Sequence, residues 1–242
     1  MKPSLANESE TVLAGLLKQR VSCRGFLSEP LPRELIVRLL GHAQRTASWC
    51  NAQPWQIHVI GGAALERARE ALPRYAAAHP SLPDYAWPAA YRGAYLDRRR
   101  ECGFQLYAAV GVAAGDRAAA ARQGSENYRF FGAPHVAIVT TDRDLGVYGA
   151  VDCGAWVSTF MLAARATGVA TIAQAALASH PQFWREQLGI GNDRLIVCGI
   201  SFGYSDDSHP ANSFRTSRAA LTDVVRWVDE PATVSNEPAP QN

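Results

Sequence analysis

The chain has 242 residues, 48% of them hydrophobic, and its 24 basic and 22 acidic side chains leave a net charge of +2. That length and apolar content suffice for a full core, which excludes disordered and fibrous classes. Near-neutral charge leaves no general polyanion-binding surface, so nucleic acid is not an expected partner.

Two of the basic residues, Lys2 and Lys18, are lysines and the rest are arginines. That balance speaks against Schiff-base chemistry and for recognition of phosphate or carboxylate by planar guanidinium forks. Cys23, Cys50, Cys102, Cys153 and Cys198 are odd in number, widely spaced and without a CxxC pair. Reduced thiols and a cytoplasmic setting are therefore expected. The opening MKPSLANESE has no apolar signal core. No uninterrupted apolar run reaches the roughly 18 residues that span a bilayer, so no membrane association is expected.

In chain order, residues 8–20 read as a helix through Val12, Leu13, Leu16 and Leu17, and residues 32–43 as a second, with Leu35, Ile36, Leu39 and Leu40 on one face. Pro32 suits its first turn. SWCNAQPWQ (48–56) then leads into a strand over 55–60, and an Ala/Arg-rich helix is expected over 62–79. HPSLPDYAWP breaks regular structure with three prolines, and helix resumes over 89–122. The block 62–122 separates the first strand from the second, at 134–141, and is read as an inserted cap or lid. GAVDCGAWVSTFMLAARATG (149–168) is apolar nearly all round, as at the centre of a domain or in a large dimer interface. A strand at VATIAQA, a helix at HPQFWREQLG and a strand at RLIVCGISFGY follow. A polar turn, a short helix at LTDVVRWV and an extended Pro-rich tail from about residue 230 close the chain. Helices that do not alternate regularly with strands favour an α+β fold over a doubly wound one.

The segment GISFG (199–203) matches the GxSxG nucleophile elbow of hydrolases, but a polar turn rather than a helix follows it. Asp206, Asp207 and His209 fall inside that turn, too close in sequence to form a relay with Ser201. No GxGxxG follows a strand, no GxxxxGK[ST] occurs, and the six histidines form no metal motif. A Rossmann site, a P-loop and a metal centre are therefore not expected. Arginines stand out instead. Arg20, Ser22 and Arg24 alternate in QRVSCRGF, so an extended segment points all three to one side. Arg215 and Arg218 flank Thr216 and Ser217 just before a helix. Forks beside hydroxyls suit a phosphate.

QRVSCRGF, SWCNAQPWQ, GVATIAQAAL, GISFGY and NSFRTSR, in that order, resemble the FMN-dependent nitroreductase superfamily. The resemblance covers nearly the whole chain except 62–122 and the tail. It implies a single α+β domain over 1–242, with a mostly antiparallel sheet flanked by helices. It further implies an intertwined homodimer built on the long apolar helix, with one FMN at each of two subunit interfaces. By that resemblance Arg20 and Ser22 hold the FMN phosphate with Arg218 and Arg215, and Arg24 lies near N1 and O2 of the ring. Ala47, Ser48 and Trp49 reach the cofactor from the partner subunit. The backbone around Gln174 and Ala175 faces N5 and O4, and Asn127 meets the pyrimidine edge.

The chemistry implied is reduction of a nitroaromatic or quinone by hydride transfer through flavin N5, with no protein side chain as the catalytic group. NADH or NADPH is the transient donor, in ping-pong fashion, and a small aromatic molecule is the acceptor. Reductive dehalogenation and flavin breakdown are alternatives within the superfamily, and a serine hydrolase using Ser201 is the alternative outside it. Asn51 and Gln53 are expected to fix the backbone of the SWCNAQPWQ stretch, with Pro54-Trp55 locking the start of the strand. Trp49 and Cys50 replace the small residues usual there, and the aromatics and arginines of 62–122 would suit a flat, anionic substrate.

Overall fold

The computed structural model describes residues 8–229; the expected tail from 230 lies outside them. Two helices, α1 (Glu8–Gln19) and α2 (Arg33–Ala43), precede β1 (Gln56–Gly61). Then come α3 (Gly62–Ala78), α4 (Ala94–Ala109), α5 (Arg117–Ser125), β2 (His135–Asp142) and α6 (Gly146–Ala166). β3 (Ala170–Gln174), α7 (Pro181–Leu188), β4 (Arg194–Gly203) and the single turn α8 (Leu221–Val224) complete the order.

The strands form one sheet in the order β1-β2-β4-β3, each neighbour antiparallel. Alternation along β2 decides what lies on either side. Ala137 and Val139 face a core shared with α2 and α6, through Leu39, Trp156 and Phe160, while Val136 and Ile138 face a second core with α3 and α7, through Leu65, Leu72 and Trp184. A bulge opposite Val139/Thr140 lets Val197 and Cys198 both pack on the first core, so Ile196 lies in the second core and Ile200 in the first despite equal parity.

α6 buries Cys153, Trp156, Val157, Phe160 and Ala164 at helical spacing against the sheet. Its close approach requires Gly149, where a Cβ would collide with the Thr141 hydroxyl. The stretch Arg143–Ala166 is long and apolar enough to cross a membrane by length and composition, yet one face lies in this core. Its other face is exposed, with Val147 65% and Val151 60% accessible, so in one chain the helix is buried on one side rather than on several.

Two helical expectations are corrected. The run 89–122 is broken at Val110–Asp116, where Gly111 and Gly115 adopt φ of 71° and 86° that an L side chain resists. The last helix covers four residues, not LTDVVRWV, and none of its residues is buried to hold it.

Candidate active site

Residues 22–26 run extended beside the sheet edge. Ser22 pairs in parallel with Thr171, the Cys23 amide donates to the Thr171 carbonyl at 3.0 Å, and Phe26 pairs with Ser205. Cys23 and Phe26 turn into a small apolar core with Phe131 and Ile172. Ser22 stays exposed, and Arg20 and Arg24 are half-buried.

Asn212 joins this loop to the turn after β4. Its Oδ1 accepts from the Arg24 amide at 2.7 Å, and its Nδ2 donates to the carbonyls of Gly25 (2.9 Å) and Asp206 (2.8 Å). Two motifs distant in sequence thereby become one surface, with the Arg24 guanidinium 5.7 Å from the Phe214 ring centroid. Arg215 donates to the carbonyls of Asn212 and Phe214, and Arg218 to those of Thr216 and Ser217. No hydrogen bond among the described residues links Arg215 or Arg218 to Arg20, Ser22 or the Arg24 side chain.

Arg20, Arg24, Arg215 and Arg218 make no salt bridge among the described residues, where four such pairs occur elsewhere. Burial pulls Arg24 below its ordinary value. A cation partly withdrawn from water without a carboxylate is a place for an anion from outside. Arg24 borders a cleft of about 550 Å³ lined also by Val112, Asp116, Arg122, Phe131 and His209.

The stretch 48–53 is a strained turn. Cys50, Asn51 and Gln53 have φ of 51°, 55° and 48°, which persist only where surroundings over-determine them. Ser48 Oγ accepts from the Gln53 amide at 2.9 Å, Gln44 donates to Gln53 Oε1 at 2.8 Å, and Gln53 Nε2 donates to Asn51 Oδ1 at 3.2 Å. Buried Trp55 donates to Gln44 Oε1 at 3.0 Å. The Trp49 amide donates to Asp152 at 3.1 Å, and its ring, 58% exposed, meets Tyr148 edge-on at 4.4 Å. Ala47 is exposed and Ser48 half-buried. Within one chain no hydrogen bond, ion pair or ring contact among the described residues ties Ala47, Ser48 or Trp49 to the arginines.

At the end of β3 the Gln174 side chain is buried. It donates to the Asn127 carbonyl at 3.0 Å and to Asn127 Oδ1 at 3.3 Å, and its Oε1 accepts from Ser201. Asn127 in turn donates to the Gly124 carbonyl at 3.0 Å. Ala173 and Ala175 are exposed and small, so backbone is open there. Ser201 is wholly buried inside β4 and donates to an amide, which removes the hydrolase reading: a nucleophile must be reachable. Burial pushes the Cys153 and Cys198 thiols up to about 11 and about 12, which disfavours the reactive thiolate.

Sequence reasoning passed over Asn212, although it opens the quoted NSFRTSR, and Asp152, which no motif marks. Both act through backbone amides, which side-chain patterns do not advertise.

An α+β fold with an unpaired arginine surface beside an open strand end is a frame for an anionic, flat cofactor. The chain belongs to the nitroreductase family, whose model matches residues 17–204. It is 35% identical over 216 residues to nitroreductase NfnB of Mycolicibacterium smegmatis, covering 88% of this chain and 91% of that one. To a 4-nitrobenzoate reductase of Pseudomonas putida it is 34% identical over 215 residues, 88% of this chain and 92% of the relative. The crystal structure of the FMN-dependent NfnB from Mycobacterium smegmatis in complex with NADPH superposes with a TM-score of 0.85 at 34% identity, covering 90% of this chain and 98% of that one.

Proposed function

We propose that this protein is an FMN-dependent NAD(P)H oxidoreductase that reduces nitroaromatic or quinone-type acceptors. The observation that carries the reading is Arg24: its backbone amide is held by Asn212, and its half-buried guanidinium makes no salt bridge, beside further arginines that make none among the described residues. That donor set fits FMN, an electron-poor ring whose side chain ends in a phosphate monoester. When bound, FMN supplies two-electron chemistry between NADPH or NADH and the acceptor. Arg20 and Ser22, with Arg215 and Arg218, would hold the phosphate, and Arg24 would favour negative charge on the ring's pyrimidine side. The Gln174–Ala175 backbone and Asn127 would border the ring, with the exposed alanines leaving room for it.

Support for a homodimer comes from an uncovered apolar face. Val147, Tyr148 and Val151 on α6, and Trp49, whose ring meets Tyr148, are all more than 45% exposed, an arrangement that marks a protein interface. A second copy seated there would meet Ala47, Ser48 and Trp49, because Trp49 already lies on Tyr148 within that face. The lid of this reading is narrower than 62–122. It spans about 79–125, since α3 buries Leu65, Ala68 and Leu72 whereas α4 and α5 bury nothing. Free cysteines at all five positions accord with a cytoplasmic protein.

The similar proteins named for 4-nitrobenzoate, nitrobenzene and chloronitrobenzene favour nitroaromatics over the dehalogenation and flavin-breakdown alternatives. Titration with FMN of wild type and Arg24→Met tests the site. Loss of a charged contact predicts roughly ten- to a hundredfold weaker binding, as about 1.5–3 kcal/mol implies. Equal affinity in the two proteins would remove Arg24 from the site.

A further inference from the structure

Three side chains form a directed chain that the function above leaves unexplained. Ser201 donates to Gln174 Oε1, the Gln174 amide donates to Asn127, and the Asn127 amide donates to the Gly124 carbonyl. It starts in β4, crosses to the last residue of β3, and ends in α5 at the base of the projecting segment. Ile172 stands directly opposite Ser201, so Gln174 is Ser201's diagonal neighbour on the same face. Ser201 is 0% and Gln174 2% exposed.

An amide oxygen buried to that extent needs its donor, because losing the partner leaves it desolvated and unpaired. Gln174 has strand geometry, with φ −131° and ψ 103°, and the chain turns at once into a 3-10 segment over Ala175–Ala178. Gln174 closes the ladder opposite Gly199, and beyond it the chain leaves the sheet. The side chain of Gln174, held from both ends, fixes that point of departure.

We infer that Ser201 is a positioning residue: its hydroxyl, through Gln174, sets the backbone at Gln174–Ala175 that borders the flavin, and ties it to the base of α5. The inference rests on the proposed flavin reading and deepens it. It also gives the GISFG serine a role that needs no nucleophilicity.

Ser201→Ala, Ser201→Thr and Gln174→Met test it in two measurements. In the apoprotein, amide hydrogen exchange over residues 172–178 and 124–128 is expected to speed up at least tenfold in Ser201→Ala and Gln174→Met. Exchange in β1 and β2 stays unchanged, and Ser201→Thr, which keeps the hydroxyl, restores protection. In FMN-loaded protein the same two variants are expected to slow anaerobic reduction of bound flavin by NADPH at least tenfold, since small misplacements at a reacting centre cost that much or more. Unchanged local exchange, or reduction within twofold of wild type in Gln174→Met with FMN bound, would overturn the inference. If Ser201→Ala does not fold, the threonine and methionine variants decide it by the same criteria. A wild-type protein that takes up no FMN would sink the flavin reading, while the exchange result would still report whether the serine fixes this backbone.

Discussion

α3 and α4 look alike in composition, both rich in alanine and arginine, and are nearly equal in length at 17 and 16 residues. They do opposite things. α3 buries Leu65, Ala68 and Leu72 along one stripe, and Arg69 reaches over to the carbonyls of Arg129 and Ala133. α4 buries nothing, and leaves Tyr95 72% and Phe104 67% exposed. Spacing rather than composition separates them: apolar residues at i, i+3 and i+7 make a face, and the same content scattered does not. The first helix is core, and the second lies outside it.

Asp84 secures the joint between the two, and breaking it gives the largest effect. Asp84 and Arg185, 11% and 10% exposed, pair at 2.9 Å, and Asp84 also accepts from the Ile196 amide at 2.8 Å. Asp84→Ala strands a buried guanidinium and should cost about 3–5 kcal/mol in urea unfolding. An unchanged midpoint would mean that the joint contributes nothing. Next, Leu72→Ala should cost about 2–5 kcal/mol; a cost near zero would erase the distinction between α3 and α4.

A smaller effect depends on pH. Buried His135 accepts from the Leu31 amide at 2.9 Å through Nε2, and burial holds its imidazole below the usual value. The unfolded chain therefore takes up this proton first. The contribution is full above about pH 6.5 and is lost as pH falls below that toward the folded value. Stability should decline between pH 7 and pH 5, and His135→Gln, which keeps an acceptor, should flatten that slope. The smallest effect belongs to α4: Phe104→Ala should stay within about 0.5 kcal/mol of wild type. A loss as large as that of Leu72→Ala would place α4 in the core after all.

Periodicity made most of the fold legible. Short apolar runs located the four described strands to within a residue or so, and the motif order marked QRVSCRGF and NSFRTSR as parts of one surface. What remained hidden was long-range or carried by backbone. The break at Val110–Asp116 was signalled by Gly111 and Gly115 yet outweighed by the alanines around them. Asp84 with Arg185, and Ser201 with Gln174, lie 101 and 27 residues apart, and no local pattern announces such a pair. Trp49 and Cys50 stood out as unusual, but the setting of Trp49 follows from Asp152 and Tyr148 on a distant helix.

The central claim, a flavin held by the arginine surface and reduced there, is tested most directly by absorption spectroscopy. Purified protein is loaded with FMN, freed of excess by gel filtration, and treated anaerobically with NADPH or NADH and then with 4-nitrobenzoate. The account predicts yellow protein whose flavin bands bleach with the nicotinamide and return with the nitro compound. Protein that emerges colourless, or retains FMN that neither nicotinamide reduces, would contradict it.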